Sequence, residues 1–463
     1  MSDGAVITEI PYRDPATAFA PLAGGDLAIL LESADRSAQG RYSYIAADPF
    51  RTVRCTSFPW TTTVDGVPRA GNAFDIVAEE LRKFPWRPET PVPFCGGAAG
   101  FFAYELGGLL EDLPAPKTTP LPLDMAVGFY DVIAAFDHRE RKAWVIASGF
   151  PETGPGRQAR ARMRAAWLEA ALGNVETAPQ DFMPLSWRAE SRRSQHEARV
   201  SAAIAAIHAG DIYQANITQR FHGPLPESVP PFDLYRKLKG RSPAPFAAFL
   251  NGGDGLHLLS ASPERFLRCG RDGHVETRPI KGTRPRGGTP AEDAANARAL
   301  KDSAKDISEN LMIVDLLRND MARVCVPGSV EAPVLCGLET FASVHHLVSV
   351  VTGRLRDGAT AVDLLKACFP GGSVTGAPKI RAMEIIHELE PSARGPYCGA
   401  IAWLGFDGAM DSAIVIRTLV LNAGEAAAQA GGGIVADSDP ALEYEESRAK
   451  AAPLLATLGI APE

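Results

Sequence analysis

Short apolar runs bounded by turn residues dominate the first third of the chain. DLAILLES (26–33), RYSYIAA (41–47), MAVGFYDVIAAFD (125–137) and KAWVIASGF (142–150) all have this form. Runs rich in β-branched and aromatic residues, closed off by Gly, Pro, Asp or Ser, predict strands. An Arg/Ala-rich segment over about 156–172 predicts a helix. Residues 173–192 (GNVETAPQDFMPLSWRAESR) show no period and carry prolines, which predicts a linker. HEARVSAAIAAIHAGD (196–211) follows as a helix, with Gly210 as its stop.

The second stretch mixes both periods. HLLSAS (257–262), HVETRP (274–279), HHLVSVVTGRL (345–355), CGAIAWLGF (398–406) and SAIVIRTLVLN (412–422) predict strands; 303–323, 378–389 and 440–457 predict helices. The order lacks the regular strand–helix alternation of a parallel sheet, so the fold class expected is α+β, antiparallel sheets covered by helices. The chain divides in sequence into an N-terminal region, 1–172, and a catalytic region, 193–463.

Several of these elements carry charge in patterns that bear on chemistry. In the 303–324 segment Ile307, Leu311, Val314, Leu317 and Met321 recur at helical spacing as an apolar face, while Asp306 and Glu309 share another. The acids form either a solvated face or part of a site for a hard divalent cation, which takes carboxylate oxygen. The C-terminal helix repeats the theme: Asp439 caps it, Pro440 suits its first turn, and Glu443, Glu446 and Lys450 form one stripe. FPGGSVTGAPKIRAMEII (369–386) and GGGIVADSD (431–439) are glycine-rich. The first ends in a helix start whose free N–H groups suit an anion, though it matches neither common nucleotide-binding pattern. Arg417 alternates with apolar residues and, if it faces inward, requires an anion. Lys281 follows HVETRP and Glu264 stands in SPERF (262–266), both at strand ends. A lysine there is either a solvated tip or a nucleophilic amine; a glutamate is a candidate general acid or base.

The chain's bulk properties narrow the classes. At 463 residues, 46% hydrophobic and 22% charged, it has the make-up of a globular enzyme. A net charge of −8 argues against nucleic acid as partner. An acidic protein that handles an anionic substrate needs a cation or a focused basic pocket. No apolar run approaches the roughly 18 residues of a membrane span, and MSDGAVITEIPYRD lacks the features of a signal peptide. Seven cysteines without a C-x-x-C pair point to reduced thiols, a cytoplasmic location and no zinc site.

Taken together and in this order, GDIYQANITQRF (210–221), SPERF, PIKGT (279–283), ENLMIVDLLRND (309–320), HHLVS (345–349), GSVTGAPKIRAMEII and the glycine-rich end segment resemble the chorismate-utilising enzymes. That family comprises anthranilate synthase large subunits, aminodeoxychorismate synthases and isochorismate or salicylate synthases. LLES (30–33), GRYSYI (40–45) and GGAAGFFAYELG (96–107) extend the likeness more loosely to the N-terminal region. The resemblance implies a large sandwich of antiparallel sheets surrounded by helices. It implies Mg²⁺ held by Glu309 and Glu446, with Asp306 and Glu443 in support. It also implies that Arg417, Tyr397, Lys450, Gly431, Gly433 and the loop bearing Ser373, Thr375 and Gly376 contact the carboxylates of chorismate. His346 corresponds to the histidine near the reacting ring and Glu264 to the acid that helps the ring hydroxyl leave. Asp306 stands where glutamate is common in the family, and ESRAK (446–450) varies the usual end motif, though neither removes a required charge. LLES is also similar to the segment that binds regulatory tryptophan in anthranilate synthases, with core packing as the alternative.

Two positions separate the branches. Isochorismate-type members have a water-activating lysine where this chain has Gln214. Anthranilate synthases have alanine where this chain has Lys281, and lysine there resembles the aminodeoxychorismate synthases. The implied activity is amination of chorismate at C4 through a covalent Lys281 intermediate, serving para-aminobenzoate and folate biosynthesis. Anthranilate synthesis and a non-catalytic, chorismate-binding homologue are the alternatives. No glutaminase signature occurs, so ammonia is expected from a separate glutamine amidotransferase subunit.

Overall fold

The apolar run 125–137, predicted as one strand, breaks at Asp131, and the break explains the architecture. Leu123–Tyr130 belongs to one sheet and Val132–Asp137 to the other. At the crossing, Asp131 is fully buried and accepts from Arg160 Nε and Arg164 Nε, both at 3.0 Å, on the helix Gly154–Ala171. The run 412–422 breaks for the same reason. Met410–Ile414 and Thr418–Asn422 lie in different sheets, and Arg417 occupies the turn between them in the left-handed region, with φ 52°. Continuous hydrophobicity marks a path that stays in the interior; it does not show where that path changes layer.

The computed structural model describes residues 5–459 other than 36–38, 118, 120, 174, 176, 184 and 341–343. Its two antiparallel sheets have 12 strands each. One runs in space from Val6–Ile10 through Tyr42–Ala46, Ile29–Glu32, Phe246–Gly253 and Glu425–Ile434 to Gln214–Pro224. The other runs from Ile280–Pro285 and Val344–Arg354 through Arg265–Cys269 and Gly97–Phe102 to Arg51–Thr56 and two short edge strands. The sheets close on one apolar core that takes Tyr44 and Leu250 from the first and Val53, Phe101 and Leu267 from the second. Helices Gly154–Ala171 and Pro231–Arg241 cover the outer face of the first sheet through Leu168, Leu234 and Leu238. The fold is thus α+β, a sandwich of antiparallel sheets surrounded by helices. The division at 173–192 is one of sequence: both stretches contribute strands to both sheets.

The helix predicted over 303–323 spans Ala304–Ala322 and buries Val314, Leu317 and Met321 of the expected face, with Ile307 half-buried. Asn310, Ile313, Val314, Leu317 and Met321 are buried, whereas Leu311 is exposed. Asn310 shares the buried face, and its Nδ2 donates to the Leu347 carbonyl at 3.3 Å on the strand Val344–Arg354.

The loop after Phe369 returns to the first sheet through Gly376–Ala377, paired with Gln214 and Ala215. A Cβ on Gly376 would stand 2.1 Å from the Gln214 carbonyl and 2.7 Å from the Ala382 Cβ. Gly376→Ala is therefore expected to lower stability by about 1–3 kcal/mol through overpacking, seen as a lower denaturant midpoint with unchanged slope.

Candidate active site

Lys281 sits on the edge strand Ile280–Pro285, which begins after a gap from His274–Thr277 instead of extending it. Ile280 and Lys281 pair with Val348 and Leu347; then the register slips, and Thr283 pairs with His346. The slip is a bulge at Gly282, in the left-handed region with φ +78°. Bulges re-aim the neighbouring side chain, and here the lysine turns into a cavity of about 500 Å³, a size suited to a small metabolite.

Inside, Lys281 Nζ donates to the Ser373 carbonyl at 3.2 Å. The same carbonyl accepts from Asn216 Nδ2 at 2.9 Å. Burial pulls the lysine's pKa down, against the pull of the Glu309 and Glu264 carboxylates. Glu264 shifts the opposite way: burial raises it, while the Ser373 side chain and the Lys281 charge oppose the rise. Both shifts favour the uncharged forms, an amine able to attack and an acid able to give a proton. The loop Gly372–Val374 supplies a partner to each, a carbonyl for Lys281 and a hydroxyl for Glu264.

The acidic helix and the C-terminal helix Pro440–Thr457 face one another across the cavity. Asp306 and Glu309 come from one, Glu443 and Glu446 from the other. Burial raises Glu309, aided by the charges of Asp306 and Glu443; burial and Glu446 raise Glu443. Lysines offset the crowding: Lys450 Nζ lies 2.7 Å from Glu446 and 2.9 Å from the Gly431 carbonyl, and Lys305 Nζ 3.8 Å from Glu443. No three carboxylate, His or Cys groups form a closed ligand cage among the described residues. Crowded carboxylates that raise one another's pKa fit an ion such as Mg²⁺, which keeps waters and takes one or two carboxylates plus oxygens of its substrate.

Arg417 and Tyr397 form another wall. Burial lowers the Arg417 pKa, and no described carboxylate pairs with it. A guanidinium so placed is prepared for an anionic ligand. His346 lies beside it, its Nδ1 2.8 Å from Thr283 Oγ1. Burial, with the Arg417 and His345 charges adding to it, takes the His346 pKa down to about 4.

The expected residues converge with two exceptions. Lys281, Glu264, His346, Arg417, Tyr397, Ser373, Gly431, Gly433, Lys450 and the four acids all line this cavity. Thr375 and Gly376 lie behind the wall: the Thr375 hydroxyl donates to the Gly371 carbonyl at 3.0 Å, and Gly376 abuts Gln214. Gln214 is itself fully buried behind Asn216 and Gly433. Gly432, Lys305, Arg284, Asn216, Thr218 and Gln429 also line the cavity and were not anticipated. The alternation of Gln214, Asn216 and Thr218 along one strand was a usable signal for two of them. Glu32 of LLES is buried and accepts from Tyr235 OH at 2.7 Å and Lys239 Nζ at 2.5 Å, at the rim of a second cavity between the sheets.

Paired acids, an anion-ready arginine and a depressed lysine inside one α+β sandwich define an enzyme site for an anionic metabolite. The sequence matches the family described as chorismate binding enzyme over residues 34–456, and the chain belongs to that family. It is 43% identical to aminodeoxychorismate synthase component 1 of Klebsiella aerogenes, over 95% of each chain. It is 41% identical to the protein of that name from Escherichia coli, over 96% of each. Anthranilate synthase component 1 of Thermus thermophilus is 39% identical over 97% of this chain and 98% of its own. Among solved structures, anthranilate synthase component I of Streptococcus pneumoniae superposes with a TM-score of 0.78 at 33% identity, covering 91% and 93% of the two chains.

The His346 shift makes a stability prediction. Above its ordinary value of 6.5 the ring is neutral whether the chain is folded or not. Between 6.5 and about 4 the unfolded chain binds a proton that the folded one excludes, so stability falls as pH drops through that window. Calorimetry should show the Tm of His346→Gln declining less than wild type across this range; parallel declines would refute the assignment.

Proposed function

We propose that this protein is the aminating subunit of an aminodeoxychorismate synthase, converting chorismate and ammonia to 4-amino-4-deoxychorismate for para-aminobenzoate and folate biosynthesis. The observation that carries the reading is Lys281, its amine and the Glu264 carboxyl drawn toward their neutral forms around one loop of one cavity. The names of the relatives at 41–43% identity agree with it.

In this mechanism the Lys281 Nζ lone pair forms a bond to ring C2. The ring double bonds shift, the C4–O bond breaks, and Glu264 gives its proton to the departing hydroxyl, which leaves as water. Ammonia next bonds to C4, the double bonds return, and the C2–Nζ bond breaks with its electron pair going back to Nζ. The proton shed by the new amino group restores Glu264, so lysine and acid both end as they began. Arg417 and Lys450 orient the substrate carboxylates. Glu309 and Glu446, supported by Asp306 and Glu443, would hold Mg²⁺, which supplies positive charge for the ring carboxylate. Gln214 carries an amide where a water-adding enzyme needs a base, so ring hydration is disfavoured. His346, uncharged at neutral pH, borders the ring without adding a charge there. A separate glutamine amidotransferase subunit is the proposed ammonia source, in keeping with the word component in the relatives' names. Seven unpaired thiols suit a reducing cytoplasm.

Incubation with chorismate, Mg²⁺ and ammonium should yield aminodeoxychorismate without pyruvate; anthranilate with pyruvate would overturn the reading. Mass spectrometry should find a chorismate-derived adduct on the wild-type chain and none on Lys281→Ala. Glu264→Gln should retain binding and lose about 10²–10⁴ in turnover, the usual worth of a general acid.

A further inference from the structure

The GGAAGFFAYELG motif has no part in the chemistry above, yet Tyr104 and Glu105 floor a second pocket directly behind the active-site wall. The partition is one ion pair. Glu390 and Arg394 line this pocket on one side. On the other, Arg394 donates to the carbonyls of Val374 (3.0 Å) and Asn216 (2.8 Å), and Glu390 accepts from Thr218 N (2.9 Å) and Oγ1 (2.8 Å). Asn216, Thr218 and Val374 line the main cavity.

The pocket is narrow, with about 60 Å³ open to the centres of water-sized molecules, room for a few of them. Its sides are apolar, through Met383 and Ile386 among others, but its floor is not. Tyr104 is 8% exposed, and neither its hydroxyl nor Glu105 Oε2 has a hydrogen-bond partner among the described residues. Buried polar atoms left so are costly and point to a small polar occupant.

We propose that this pocket admits ammonia to the chorismate cavity, with the Arg394–Glu390 pair as the partition it must pass. The proposal rests on the amination reading, in which ammonia enters only after the lysine adduct fills the main cavity. A tyrosine hydroxyl can donate to the ammonia lone pair or accept its N–H, and a carboxyl can do either according to its protonation. Burial, reinforced by the charge of Asp124, pushes Glu105 up to about 8, so both of its forms are within reach near neutrality.

Two substitutions at half-buried lining positions narrow the pocket, His387→Trp and Ser392→Phe. The probe is free ammonium, with chorismate and Mg²⁺ at saturation. Each variant is expected to raise the KM for ammonium tenfold or more, leaving the KM for chorismate and the ammonia-free formation of the Lys281 adduct unchanged. An unchanged ammonium KM in both variants, with normal adduct formation, would overturn the proposal and leave the pocket as a water site. Loss of adduct in step with ammonium use in both variants would also overturn it, since the pocket would then serve only to support the wall. Absence of the adduct in the wild type would instead defeat the reading of Lys281, and the ammonium KM would still judge the pocket.

Discussion

An arginine as fully enclosed as Arg394, 4% exposed, must find an acceptor for each N–H it brings inside. It does so by bonding both oxygens of Glu390, at 2.9 and 2.8 Å, and two backbone carbonyls beyond. The forked geometry is what a guanidinium offers and an ammonium does not. The strand Gln214–Pro224 is thereby fixed to a segment far along the sequence, the loop Gly372–Val374 and the end of the helix Lys379–Leu389. Everything the site asks of the Ser373 carbonyl depends on that join. Breaking such a pair from one side leaves a buried charge uncompensated, at about 3–5 kcal/mol, so the wall is held by a strong constraint and not by loop packing.

Within the wall the balance is different. Lys281 and Glu264 would both be charged in water at neutral pH. Burial penalises each charge, and their mutual attraction resists; the net directions, lysine down and glutamate up, show that desolvation wins for both. On the two helices burial raises Glu309 and Glu443, whereas Lys450 beside Glu446 draws that carboxyl down and Arg284 pairs with Asp306 at 3.2 Å. Arg417 has no carboxylate at all among the described residues. The cavity thus holds Arg417 at one wall and a cluster of acids at another. A chain with a net charge of −8 can bind an anion because its compensating charges are local.

Much of this was legible in the sequence, and the failures share a cause. Strands, the major helices and the α+β class followed from period and punctuation. The runs 125–137 and 412–422 were misread as single strands because apolar continuity persists while the chain passes between sheets, and only Asp131 and Arg417 betray the crossing. The helix Pro290–Lys301 was overlooked although Thr289, Pro290 and Glu292 form a capping box with proline in the first turn. For the site, spacing showed that acids shared helix faces but not that two helices opposed one another; that came from the family resemblance. Thr375 and Gly376 illustrate its limit, since both serve the packing of their loop and not the cavity.

Why Lys281 stands where it does follows from the glycine after it. A Cβ at Gly282 would meet Leu300 Cδ1 at 2.8 Å and Asp306 Cβ at 2.9 Å, and its φ of +78° is unfavourable for other residues. The lysine strand therefore packs directly on the start of the acidic helix only because that side chain is missing. The same glycine creates the bulge that turns Lys281 inward and sets Thr283 beside His346. One residue thus couples Lys281 to the acidic helix and to His346. A lysine in an unbulged edge strand at this position would keep its hydrated, protonated tip; the bulge that Gly282 permits is what converts an ordinary edge lysine into a buried amine.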